Sequence, residues 1–150
     1  MRSRRIKVAP EAGAAVYHCM SKTVDGQMLF DDVAKEVLRK QLWLLAEFAG
    51  VQILTYTILS NHFHVLVRVP QKTVIADEEL LRRYELLYPK PTKYQSARLD
   101  VVRSQLAIDG PEAQAWRRRQ LALMGDVSAF MKLLKQRFAM WFNKTMSAVG

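Results

Sequence analysis

The chain is 150 residues long and half apolar, enough to bury one core and short of what two full domains need. Its 23 lysines and arginines stand against 14 aspartates and glutamates, a formal charge of +9 that favours a polyanionic partner over an acidic small molecule. A single cysteine excludes a disulfide framework and a four-cysteine zinc site; with no run near ~18 apolar residues and no signal-peptide core after Met1–Lys7, a soluble cytoplasmic protein is expected.

Residues 1–12 form a basic arm in which Arg2, Arg4, Arg5 and Lys7 can settle on phosphates. Ala14 to Val24 alternates loosely through Val16, Tyr17, Cys19 and Met20, predicting a strand that ends at the turn Asp25-Gly26, with Cys19 in the core. Asp31 or Asp32 then caps an amphipathic helix whose apolar positions are Val33, Val37, Leu38, Leu42, Leu45 and Phe48, stopped by Gly50. Val51 to Leu59 and His62 to Val69 read as two strands of a hairpin joined at Ser60-Asn61 and closed by Pro70. Strand, helix, strand, strand predicts an α+β sandwich of the ferredoxin-like kind, an antiparallel sheet with helices on one face.

Residues 71–125 change character. A helix begins at Asp77, Pro89 and Pro91 interrupt, and Tyr94 to Ile108 and Pro111 to Leu123 read as helical again. Too few apolar residues fall here for a separate core, so the segment is expected to be a helical insertion within one domain. Asp126 caps a last long helix with the stripe Val127, Phe130, Met131, Leu134, Phe138, Trp141 and Phe142, while Lys132 and Lys135 fall off it.

The chemistry concentrates in His62-Phe63-His64. Alternation along a strand puts His62, His64, Leu66 and Arg68 on one face and Phe63, Val65, Val67 and Val69, the better core set, on the other. A His-x-His pair also occurs as ordinary core or surface residues. The apolar flanking runs place this strand centrally, however, where two unpartnered imidazoles would be costly. As metal ligands they supply two neutral nitrogens and leave positions for a third ligand and for water or phosphate oxygens. Arg68 on the same face can grip a phosphate or simply end the strand in solvent. His18, on the neighbouring strand, reads as a structural hydrogen-bonding residue or as an outer partner of the metal ligands. No phosphate-cradling glycine loop, nucleophile elbow or zinc-protease motif is present in the sequence, which disfavours nucleotide-dependent and acyl-transfer chemistry.

The run Leu59-Ser-Asn-His-Phe-His-Val-Leu-Val67 resembles the HUH (histidine-hydrophobic-histidine) motif of single-tyrosine transposases, in particular the REP-associated tyrosine transposase branch. The resemblance extends to Tyr17-His-Cys-Met-Ser-Lys-Thr-Val24, to Gly125 through Phe138, and to Trp141-Phe-Asn143. It implies that His62 and His64 hold a divalent ion, Mg²⁺ or Mn²⁺, against a phosphate of single-stranded hairpin DNA. It also implies attack by a tyrosine on a later helix, leaving a 5′-phosphotyrosine and a free 3′-hydroxyl. In that family the Trp-Phe-Asn helix is followed by a further strand and by a helix carrying the nucleophile and a third metal ligand. This sequence runs from Lys144 to Gly150 without either, so the resemblance implies a C-terminally truncated, inactive form.

No tyrosine here is assigned as nucleophile: Tyr17 and Tyr56 fall in strands, and Tyr84, Tyr88 and Tyr94 in the insertion. A sheet lacking its last strand is expected to expose an edge, which a second subunit can pair to give a homodimer. The DNA-contact candidates are Arg2, Arg4, Arg5, Lys22, Arg68, Lys132 and Lys135, with Arg117 to Arg119 in the insertion. The competing reading is a non-catalytic ferredoxin-like nucleic-acid-binding module, its histidines contacting bases or phosphates without metal. A two-histidine enzyme acting on a small molecule is disfavoured by the charge.

Overall fold

A computed structural model describes residues 6–9, 12–22, 30–89 and 98–149. Arg2, Arg4, Arg5, the expected Asp25-Gly26 turn and Tyr94 lie outside these residues. The elements are β1 (Ala15–Lys22), α1 (Asp32–Ala49), β2 (Gln52–Ile58), β3 (His62–Val69), α2 (Asp77–Leu87), α3 (Leu99–Ile108), α4 (Pro111–Leu121) and α5 (Val127–Val149). The protein is α+β, and among the described residues three antiparallel strands form one sheet in the order β1-β3-β2. The histidine strand is therefore central, and β1 and β2 are the edges.

Helix α1 starts where Asp31 Oδ1 accepts a hydrogen bond from the Ala34 N–H at 2.8 Å and stops at Gly50, whose φ of 69° lies in the left-handed region. Its buried face runs through Ala34, Leu38, Leu42, Leu45 and Phe48. Val33, expected on that stripe, is 64% exposed. The face is centred one residue later, so that Ala34, with no bulk to hold it off, sits against the core.

Strand β3 alternates as its sequence predicts: Phe63, Val65 and Val67 are buried, and the residues between them are half-buried. Strand β2 does not. Its pairing slips between Ile53 and Thr55, a bulge that leaves Leu54 as an extra residue. Beyond it, Tyr56 lies opposite Val65 and Ile58 opposite Phe63, both on the core side, while Thr55 and Thr57 lie opposite Leu66 and His64. Tyr56 therefore meets Trp43 of α1 edge-on at 6.4 Å, on the side away from the imidazoles.

One core joins the sheet's inner face to the helices. Phe30 bridges them, its ring 6.4 Å from Phe63 and 5.4 Å from Phe138 of α5. Leu80, Leu81, Tyr84 and Leu87 of α2, Val102 of α3 and Trp116 of α4 belong to the same buried cluster as Val65, Val67 and Leu42. Segment 71–125 is held as well by Arg117, which donates to Asp77 at 2.8 Å and to Asp109 at 2.6 Å. That guanidinium, one of the DNA-contact candidates named from the sequence, ties α2 to the α3–α4 junction. Asp126 caps α5 by accepting from the Ala129 N–H at 2.9 Å and pairs with Lys7 at 2.6 Å. Burial pushes its carboxyl up, but the Lys7 and Ala129 bonds together hold it below the ordinary value. Among the described residues, no helix is long and apolar enough to cross a membrane.

Candidate metal centre on the open sheet face

Strand register builds the site. The outward positions are Val16, His18, Met20 and Lys22 on β1, His62, His64, Leu66 and Arg68 on β3, and Gln52, Thr55 and Thr57 on β2. On the two edge strands these positions are exposed, and Leu54 of the bulge is exposed beside them. No carboxylate is among them. The face carries three imidazoles from its hairpin end inward, with Lys22 directly across from His62 and Arg68 farther along β3. Arg68 stands six residues from His62, about 20 Å away at a strand rise of about 3.3 Å per residue.

Each histidine of β3 has its Nδ1 engaged. His62 Nδ1 is 2.7 Å from Asn61 Oδ1, and because an amide oxygen only accepts, Nδ1 is the donor, so that a neutral His62 has its lone pair on Nε2. Asn61 is held in place by the hairpin: the Leu59 N–H donates to the His62 carbonyl at 2.8 Å, and the Phe30 N–H donates to Ser60 at 2.6 Å. His64 Nδ1 is 2.9 Å from His18 Nε2, and the two rings lie edge to edge and nearly coplanar, with centroids 5.1 Å apart and planes 4° from parallel. His62 and His64 meet nearly at right angles, with centroids also 5.1 Å apart. His18 lies opposite Leu66 in register and so reaches His64 diagonally.

This donor set fits a divalent ion in part. Histidine is a common metal ligand, and here each of the two on β3 is braced through its other ring nitrogen, as metal-ligating histidines usually are. Among the described residues, no group of three or more His, Cys, Asp or Glu side chains could hold a metal ion. Oxygen from water or phosphate would have to fill the remaining positions.

The remaining candidates divide between the two sides of the sheet. Lys22 and Arg68 share the imidazole face; Arg68 donates to Gln52 Oε1 at 2.9 Å, a neutral partner that leaves its charge uncompensated. Lys132 and Lys135 do not share it. They ride on α5, whose buried residues Phe130, Met131, Leu134 and Phe138 pack in the core behind the sheet.

The tyrosines among the described residues are also turned away. Tyr17 packs on the core side, where its hydroxyl accepts from the Val8 N–H at 2.8 Å. Tyr84 is buried between Tyr88 and Trp116, and burial pushes its phenol up, away from phenolate formation. Two residues of the site escaped sequence reasoning, Asn61 and Gln52, each a neutral amide supporting a charged or ligating neighbour. Asn61 carried a signal, since it precedes His62 directly in the turn; Gln52 could be found only through the register.

No protein-family model, curated protein or solved structure matches this chain significantly.

Proposed function

We propose that this protein is a metal-dependent, single-stranded-DNA-binding protein of the single-tyrosine HUH transposase class, built on a ferredoxin-like sheet. His62 and His64 hold Mg²⁺ or Mn²⁺ through Nε2. The observation that carries this reading is the outward sheet face: two braced imidazoles on the central strand, Lys22 and Arg68 alongside, and no carboxylate. A phosphodiester, not a cationic or neutral ligand, complements that surface. The β-α-β-β order and the central place of β3 support the ferredoxin-like assignment.

The bound ion would supply charge stabilisation to a phosphate oxygen. The chain's own residues orient the DNA: Lys22 places one phosphate near His62, and Arg68 takes another farther along the strand, releasing Gln52 to do so. Strand cleavage would need a nucleophile over this face, and Tyr17, Tyr56, Tyr84 and Tyr88 all pack elsewhere. The described residues thus offer a DNA-binding face and do not themselves place an attacking tyrosine over it.

Calorimetric titration with Mn²⁺ tests the proposal. Wild type binds one ion and the His62→Ala, His64→Ala double variant binds none; equal heats from both would refute it. The second reading, a nucleic-acid-binding sheet without metal, has the near-coplanar His18–His64 pair in its favour, since flat rings side by side on an open strand surface can receive a base. Under that reading, hairpin DNA affinity is unchanged by a chelator.

A further inference from the structure

The contact between His18 and His64 constrains where a proton sits. Two neutral imidazoles whose nitrogens are 2.9 Å apart need one donor and one acceptor. In one arrangement, His64 Nδ1–H donates to His18 Nε2, and His64 keeps a lone pair on Nε2. In the other, His18 Nε2–H donates, and His64 Nε2 carries a hydrogen that blocks any ligand.

Two observations favour the first. The outward face holds Lys22 and Arg68 and no carboxylate, so a lone pair at His64 Nε2 suits its surroundings better than the positive end of an N–H bond. His62 is already fixed by Asn61 in this same tautomer, with Nδ1 protonated and Nε2 free.

We propose that His18 is a positioning residue: it accepts a hydrogen bond from His64 Nδ1–H and thereby holds His64 in the tautomer able to ligate through Nε2. This role rests on the metal reading of the same face. His18 is exposed on an edge strand and lies outside the buried core, so replacing it leaves the core intact. What matters is acceptor chemistry. Glutamine, whose side-chain amide oxygen reaches about as far as Nε2, can take over the bond, while leucine cannot.

The test has two readouts. Nitrogen-15 NMR of the metal-free protein under mildly alkaline conditions reports the tautomer: wild type and His18→Gln show His64 protonated at Nδ1, and His18→Leu loses that preference. Mn²⁺ calorimetry then gives near wild-type affinity for His18→Gln and a loss of about 10- to 100-fold for His18→Leu, the usual cost of removing an outer partner of a metal-bound histidine. A wild-type His64 protonated at Nε2, or equal Mn²⁺ affinity in wild type and His18→Leu, overturns the role alone. Failure of wild type to bind Mn²⁺ overturns the metal reading and this role together.

Discussion

Charge removal on the two sides of the sheet should separate a DNA-binding face from a merely basic protein. Lys22 and Arg68 lie on the imidazole face, with no carboxylate at its outward positions, whereas Lys132 is exposed on a helix packed behind the sheet. For single-stranded DNA, each neutralised phosphate contributes about −0.7 to the slope of log affinity against log salt. The Lys22→Gln, Arg68→Gln double variant should therefore have a slope shallower by about 1.4. Between about 50 and 200 mM salt that difference amounts to roughly a sevenfold smaller loss of affinity than wild type suffers. The measurement is fluorescence anisotropy with a labelled DNA hairpin across a salt series, with Lys132→Gln as the comparison. A double-variant slope equal to that of wild type, or a Lys132→Gln slope reduced as much as the double variant's, would refute the assignment of the face.

Three further outcomes follow from the fold. Gly50→Ala should destabilise by about 1–2 kcal/mol in chemical denaturation, because an L-residue there pays the left-handed penalty and its Cβ would stand 2.9 Å from Arg83 Nη1; an unchanged midpoint would contradict the capping role. Hydrogen bonds from Arg82 and Arg83 hold the Glu79 carboxyl down to about 2, against an ordinary value of 4.5. A carboxyl depressed by folding stabilises above its unfolded value and loses that contribution as pH falls through the folded one, so stability should decline between roughly pH 4.5 and 2. Glu79→Gln should flatten this limb only slightly, since the side chain is 36% exposed and screened; a steeper limb in the variant would reverse the sign of the argument. We also propose that a second copy pairs one of the edge strands, β1 or β2, giving a dimer by size-exclusion chromatography with light scattering; a monomer at every concentration would count against it.

How much of this was legible in the sequence depended on whether local periodicity survived tertiary pairing. In β3 it did: the alternation of His62, His64, Leu66 and Arg68 against Phe63, Val65 and Val67 needs no partner strand to be read, and the structure follows it. In β2 it failed at Leu54, where no glycine or proline marks the bulge, so sequence parity grouped Tyr56 with Gln52 although they face opposite sides. The placement of β1 beside the histidine strand could be anticipated from the element order. That His18 would reach His64, when its direct neighbour is Leu66, could not, because the diagonal contact depends on register. Arg117 looked like one of three solvated arginines until its turn of α4 met Asp77 from α2 and Asp109 from the preceding junction.

The same distinction explains why the site sits where it does. A central strand flanked on both sides has all its backbone groups engaged, so its side chains are held with little freedom. An outward face that no described helix covers leaves those side chains open to a ligand as large as a nucleic acid strand. His62 and His64 combine the two conditions: rigid backbone placement from β1 and β2, Nδ1 partners supplied by Asn61 and His18, and free Nε2 positions turned from the core. Lys132 and Arg117 have the charge for a phosphate but, respectively, the wrong side of the sheet and a prior engagement. Charge alone nominated several parts of this chain as DNA contacts; geometry leaves the β3 face as the one described surface where charge, ligating nitrogen and accessibility coincide.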